Sequence, residues 1–367
     1  MFDKGRFSPT GLFCYFHIRL LLVLKKIFLF FLVILVLLGV FYHDLVSYAW
    51  MQAKGQVTIL MNVQDVEEVL HDPVFPDSLK SRIRLIEEIK QFGVDSLGLT
   101  PSKNYSTFYN QHCKPLIWVI NASDRYRIKP YKWSFPIIGT FPYKGYFDSA
   151  RAVREEKVLI QQGFDTDIGE VSAWSTLGYL KDPILSSMLK RREGSLANLI
   201  LHELTHGTLF VKNDLELNEN LASFVGDLGA IRFLRQKYGP ESKELRTYEF
   251  SKKYNDAYSQ HMLRGIKKLD SLYTSFERSK ADSSEKDSLK NTIILKILND
   301  ADTLFADKKS LKPKSRWNNK NVPNNAYFIS YQTYKSRQNL FRSEFETRFG
   351  GDFKKYLSYL KEKYPSL

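Results

Sequence analysis

The sequence predicts an α+β fold, rich in helix, with a small mixed sheet and an N-terminal transmembrane helix. Apolar residues recur at helical spacing through most of the chain after Asp77, whereas short runs of β-branched and aromatic residues are confined to residues 115–179. Near the N-terminus stands a run of sixteen apolar residues, Ile27–Tyr42, about 24 Å of helix. With 43% hydrophobic residues over 367 positions, the chain can bury a core and is not largely disordered. Cys14 and Cys113, the only two cysteines, fall on opposite sides of the apolar run and cannot make a disulfide framework. The net charge is +14, of which +4 lies in residues 1–26. The remainder is scattered, with no basic block interleaved with aromatics, so no nucleic-acid partner is expected. A surface near anionic lipid or cell-wall polymer accounts for it more simply.

Taken in order, residues 1–26 read as a cytoplasmic tail, 27–50 as a transmembrane anchor and 51–367 as a single exported domain. Sixteen apolar residues fall short of the ~20 that usually span a bilayer, and Leu45–Trp50 extends them past His43 and Asp44. Lys25 and Lys26 precede the run and no Lys or Arg follows until Lys54, which leaves the N-terminus inside and places everything after Trp50 on the periplasmic side of the inner membrane. A cleaved signal peptide competes, with Ser47-Tyr48-Ala49 as its cleavage region. The length of the apolar run favours the uncleaved anchor.

In the exported part, Asp77–Phe92 is a helix with Leu79, Ile83, Ile86 and Ile89 inward, closed by Gly93. Strands are expected at Pro115–Asn121, Phe135–Thr140 and Phe164–Ile168, with a helix capped by Asp148 and stopped by Gly163 before the last. Gly169–Tyr179 alternates like an edge strand, which can hold an extended peptide by main-chain hydrogen bonds or simply pack Trp174 and Tyr179. Beyond Pro240, Tyr258, Met262, Ile266, Leu269, Tyr273 and Phe276 mark one long helix, and Leu289, Ile293, Ile297 and Leu304 mark its partner across a polar turn, Ala281–Ser288. Lys308–Pro323 is a basic loop, Asn324-Asn325-Ala326 opens a tyrosine-rich helix, and Asp352 starts a last short helix after Gly350-Gly351.

The chemistry concentrates in N-L-I-L-H-E-L-T-H, Asn198–His206. Residues four apart share a helix face, so His202 and His206 can direct two imidazoles at one metal ion, with Glu203 placed to take a proton from water. Leu196, Leu199, Ile200 and Leu204 supply the apolar stripe, and Ser195 is the expected cap. Zinc in a hydrolytic site takes a third protein ligand and keeps one position for water. Glu219 in the next helix, N-E-N-L-A-S-F-V, is the expected third ligand, with Asn218 as that helix's cap and Ala222 and Ser223 as the small residues of a close helix contact. Glu216 and Asp227 are the alternatives.

The stretches S-Y-A-W-M-Q-A-K-G-Q, F-P-I-I-G-T-F-P-Y-K-G-Y-F-D, V-S-A-W-S-T-L-G-Y-L-K-D-P-I-L-S, L-I-L-H-E-L-T-H, N-E-N-L-A-S-F-V and N-N-A-Y-F-I-S-Y-Q-T-Y together resemble the bacterial family of predicted zinc aminopeptidases with an HExxH motif. The resemblance implies a zincin-like metallopeptidase domain in which His202 and His206 bind Zn2+, Glu203 is the base and Glu219 the third ligand. Many relatives look like lipoproteins with a Cys after the apolar segment, and here none lies between Cys14 and Cys113. Attachment then falls to the helix itself, or is lost on cleavage.

On this reading the chain hydrolyses peptides, most simply as an aminopeptidase. An endopeptidase, or an anchored module in which zinc only joins two helices, are the alternatives. An aminopeptidase needs an acid for the substrate's α-ammonium, for which Glu170 and Asp148 are candidates, although Asp148 is also a natural cap. The oxyanion needs a neutral donor. Asn325 and Tyr334 are the expected catalytic donors, with Tyr143 and Tyr146 next in line.

Overall fold

The computed structural model describes residues 22–33, 39–135, 139–171, 180–304, 321–335 and 338–364, without the side chains of 333–335 and 338–339. The chain divides into two units, 1–58 and 59–367. In the first, helix α1 (22–33) and most of α2 (His43–Met61) present exposed apolar side chains, among them Phe28, Phe30, Phe31 and Trp50. Among the described residues no helix is long and apolar enough to cross a membrane. Residues 34–38, inside the apolar run, lie outside them.

The second unit is helix-rich with three small sheets, where one mixed sheet was expected. Strands β1 (Val63–Asp65), β2 (Thr107–Tyr109) and β8 (Ile184–Leu185) form the only mixed sheet among the described residues, β1 antiparallel and β8 parallel to β2. Strands β3 (Trp118–Asp124), β6 (Tyr143–Tyr146) and β7 (Phe164–Glu170) form an antiparallel sheet with β3 central. The single strand expected at Phe135–Thr140 is instead a pair, β4 (Trp133–Phe135) against β5 (Gly139–Phe141). The first predicted strand is displaced from 115–121 to 118–124 because Pro115 has no N–H to give to a ladder. Residues 172–179, most of the expected peptide-holding edge, lie outside the described residues, as does the basic loop 305–320.

Helix α4 (Asp77–Phe92) buries Ile83, Ile86 and Ile89, as its stripe dictates. A short α3 (Val66–His71) precedes it. Gly93 does not close it: its φ of −58° is helical, a π-turn over Gly93–Leu97 follows, and Gly98 ends the element with φ of 79°. Asp148 caps α5 (Ser149–Gln161) by accepting from Ala150 N at 2.8 Å. Helices α6 (Glu193–His206) and α7 (Leu215–Tyr238) then pack along each other in the centre of the larger core. α8 runs from Lys243 to Phe276, longer than its stripe predicts, and α9 (Ser283–Ala301) starts inside the expected polar turn because Asp282 caps it through Glu285 N at 2.9 Å. With α10 (Asn325–Lys335) these two helices enclose a second core around Met262, Ile294 and Phe328. α11 (Gln338–Phe349) and α12 (Phe353–Lys363, capped by Asp352) return to the first core, where Phe345, Phe353 and Tyr356 surround Phe224.

Candidate metal centre

Helix α6 begins one turn earlier than its expected cap. Arg192 precedes it without a side-chain cap bond, and Ser195 lies inside the first turn, accepting from Arg191 Nη1 at 3.2 Å. Its buried face, Leu196, Ala197, Ile200, Leu201 and Leu204, fixes the rotation of the helix and so aims His202 and His206 toward α7. The cap of α7 is Asp214, which accepts from Leu217 N at 3.0 Å. Asn218, expected there, instead clamps the connection between the helices: its Oδ1 accepts from Val211 N at 2.8 Å and its Nδ2 donates to Val211 O at 2.9 Å. That clamp holds the adjacent Glu219 against α6. The small residue that permits the contact is Gly226, where a Cβ would stand 2.8 Å from Asn198 O and 3.3 Å from His202 Cβ.

The two Nε2 atoms of His202 and His206 lie 3.2 Å apart, and Glu219 Oε2 is 3.3 Å from the first and 3.7 Å from the second. Ligands placed tetrahedrally about zinc at about 2.1 Å stand about 3.4 Å from one another, so the triangle has the size such an ion requires. All three side chains are largely buried. Burial raises the Glu219 carboxyl, but hydrogen bonds from both imidazoles prevail and hold it at about 2. Burial pushes His206 down, and the same carboxylate more than reverses that, so its pKa is raised.

Neither alternative ligand joins this triangle. Asp227 accepts from Asn198 Nδ2 at 2.9 Å and Tyr248 Oη at 3.2 Å and pairs with Lys252 at 3.2 Å, a brace on the far side of the α6–α7 contact. Glu216 sits in the first turn of α7, outside the group of His202, His206 and Glu219, the one group among the described residues whose ligand atoms are close enough to hold a metal ion together. Glu203 is partly buried, and its carboxylate makes no hydrogen bond among the described residues.

Asn325 is corrected from donor to structural residue. It is fully buried, its Oδ1 accepts from Tyr273 Oη at 2.6 Å, and its Nδ2 donates to Asp124 O at 2.9 Å and Arg125 O at 3.1 Å, which leaves nothing for a substrate. The side chain of Tyr334 lies outside the described residues. Tyr143, next in line, lies within the electrostatic reach of Glu219 and Glu203. It is held on β6 by pairing with Asn121 and by the neighbouring Lys144–Glu155 bridge at 3.2 Å. Burial first, then the charges of Glu219 and Glu203, raise its pKa, so the phenol stays protonated and able to donate. Tyr146 is buried in the core instead. Of the two acids considered for the α-ammonium, Asp148 is spent as a cap and Glu170 is exposed at the end of β7.

One residue near Glu203 escaped the sequence reading altogether. Tyr105 has no periodic or motif signal. Only the turn-forming Asn104 before it marks an unusual backbone, and its φ is 63°.

A family described as "Putative aminopeptidase" matches residues 47–363. Comparison with curated proteins and with solved structures gave no match. The chain belongs to that family.

Proposed function

We propose that this chain is a zinc-dependent metallopeptidase, an aminopeptidase acting on peptide substrates through a zincin-like arrangement of two helices. The observation that carries the proposal is the convergence of His202, His206 and Glu219, next to a Glu203 carboxylate that accepts no hydrogen bond among the described residues. Two imidazoles and one carboxylate suit zinc with one tetrahedral position left over, whereas closed structural sites take four protein ligands. His202, His206 and Glu219 would hold the ion, which when bound supplies Lewis-acid chemistry and makes water acidic enough to ionise near pH 7. Glu203 accepts the proton on its free carboxylate and returns it to the departing amine. Tyr143 donates to the carbonyl oxygen as negative charge develops there. Residues 27–50 anchor the chain in a membrane with the 51–367 domain on the exported side, a reading supported by the exposed phenylalanines of α1 and the positive residues before them.

The test is bound zinc and peptide turnover in the wild type and in Glu203→Gln. Zinc retained with turnover lost supports the mechanism. Unchanged turnover in the variant removes Glu203 as base. Comparing a peptide with its N-acetylated form then separates exopeptidase from endopeptidase, since equal cleavage of both is incompatible with recognition of a free α-ammonium.

A further inference from the structure

Two groups beside the metal ligands are unanswered, and they are chemical complements. The Tyr105 side chain is 1% exposed, and its hydroxyl is buried with no hydrogen-bond partner. A buried hydroxyl without a partner is unfavourable and uncommon in folded proteins. Glu203, for its part, is a carboxylate that accepts no hydrogen bond among the described residues. Of all charged groups, Glu203 acts most strongly on the Tyr105 phenol, ahead of Asp182.

The chain goes to some length to place Tyr105 there. Its φ of 63° is in the left-handed region, which an aromatic residue rarely adopts unless its surroundings impose it. The surroundings do so. Tyr105 N donates to Asp182 O at 2.7 Å, and the preceding Asn104 exchanges a reciprocal pair with Asp182, Nδ2 to Oδ2 at 2.9 Å and Asp182 N to Oδ1 at 3.2 Å. Both Asn104 and Asp182 are buried. The start of the same loop is tied to the end of the metal helix, where Thr100 N donates to Thr208 Oγ1 at 2.9 Å. A strained, over-determined residue whose unpartnered donor lies within the electrostatic reach of the Glu203 carboxylate is suited to hold that carboxylate.

We propose that Tyr105 is a positioning residue for Glu203: in the zinc-loaded protein its hydroxyl donates to the Glu203 carboxylate, directly or across one ordered water, and fixes the oxygen not engaged by the attacking water. This rests on Glu203 as the base. Among the described residues, the partly buried Glu203 side chain has no competing bond to break in making the contact.

The test uses the full chain with zinc and the substitution Tyr105→Phe, which keeps the ring and removes only the oxygen. Turnover number should fall ~10-fold with KM within about twofold, as for an interaction that matters only to proton transfer. Zinc content should be unchanged, and the unfolding temperature of the metal-free protein should be unchanged or higher, because in that state the buried hydroxyl it loses has no partner. In a Glu203→Gln background the same substitution should have no further effect on turnover. A readout independent of activity is the 19F resonance of 3-fluorotyrosine placed at 105, which should move on Glu203→Ala. Turnover within about twofold of wild type, or a fall in turnover that tracks a fall in unfolding temperature, overturns the proposal. So does a resonance indifferent to Glu203. If Glu203→Gln turns over peptide like the wild type, the proposed function fails instead, and the resonance alone decides whether the two residues are paired.

Discussion

Around Asn325, polar groups are buried and answered. Asn325 N donates to Asp165 Oδ2 at 2.9 Å, its amide serves Tyr273, Asp124 and Arg125, and Lys290 bonds both Asp165 and Arg125 O. Near the candidate ligands two groups are left open: the partly buried Glu203 carboxylate accepts no hydrogen bond among the described residues, and the buried Tyr105 hydroxyl has no partner. The first cluster ties the end of β3 to α8, α9 and α10, and a fully satisfied network of that kind specifies a fold. On the proposed function, the second keeps the Glu203 carboxylate open to water and substrate. Burial of polar atoms therefore does not by itself separate the two clusters. Unfilled hydrogen-bonding capacity does.

The contrast is testable from both sides. The largest effect is expected for Glu219→Ala, which removes one of three ligands: metal affinity should fall by ~10² or more and turnover with it, read by zinc content after dialysis. A variant that keeps its metal would transfer the third-ligand role to another acid. Next comes Tyr143→Phe, expected to lower turnover by ~10² while unfolding temperature and zinc content stay put. Retention of turnover within a few-fold would place the oxyanion donor elsewhere. Asn325→Ala should behave in the opposite manner. It strands Tyr273 Oη and removes the amide donor to Asp124 O, while Arg125 O keeps Lys290, so denaturant unfolding should show a loss of roughly 2–4 kcal/mol with turnover per folded molecule unchanged. A selective loss of turnover would restore Asn325 to the site.

The smallest effect is in pH dependence, measured on metal-stripped protein. Glu219 is held at about 2 against an ordinary 4.5, so its contribution to stability is present above pH 4.5 and lost as the pH falls toward 2. His206 is raised above 6.5, so its contribution is full below 6.5 and lost as the pH climbs through its folded value. Stability from the pair should therefore be greatest between about 4.5 and 6.5 and should decline on either side. Zinc needs neutral imidazoles, so its affinity should move the other way, weakening as the pH drops through the raised pKa of His206. A metal-free protein with the same stability at pH 5 and pH 8 would deny the pairing.

The halves of the site differed in how legible they were. His202, Glu203 and His206 announce themselves because helical periodicity converts a spacing of four into one face, and Glu219 follows because a third acid on the next helix is geometrically required. The caps were misread by a turn at α6 and α7 because Ser195 and Asn218 are cap-forming types with other work: the first bonds Arg191, the second clamps Val211. Strands β1, β2 and β8 have two or three residues each, too few for an alternation to register, and exist only because chain segments far apart in sequence meet. Asn325 and Tyr105 show the deepest limit. An Asn at a helix start and a lone Tyr in a loop look alike in sequence whether their polar atoms are filled or empty, and that difference is a property of tertiary neighbours.

Gly226 carries a consequence for which ion the chain accepts. The separation of α6 and α7, and with it the width of the ligand triangle, is set by a methyl group that is not there: any Cβ at 226 meets the Asn198 carbonyl and the backbone side of His202. On the proposed function, metal selection would therefore be written partly in an interhelical distance. Pushing the helices apart by a few tenths of an ångström would lengthen two edges of the triangle and leave the third, His202 to His206, unchanged. Such a distorted cradle disfavours a small tetrahedral ion bound at about 2.1 Å and suits a larger, less demanding one with bonds of about 2.3 Å or more. A residue that touches neither metal nor substrate would thus decide between catalytic and inert occupants of the same three ligands.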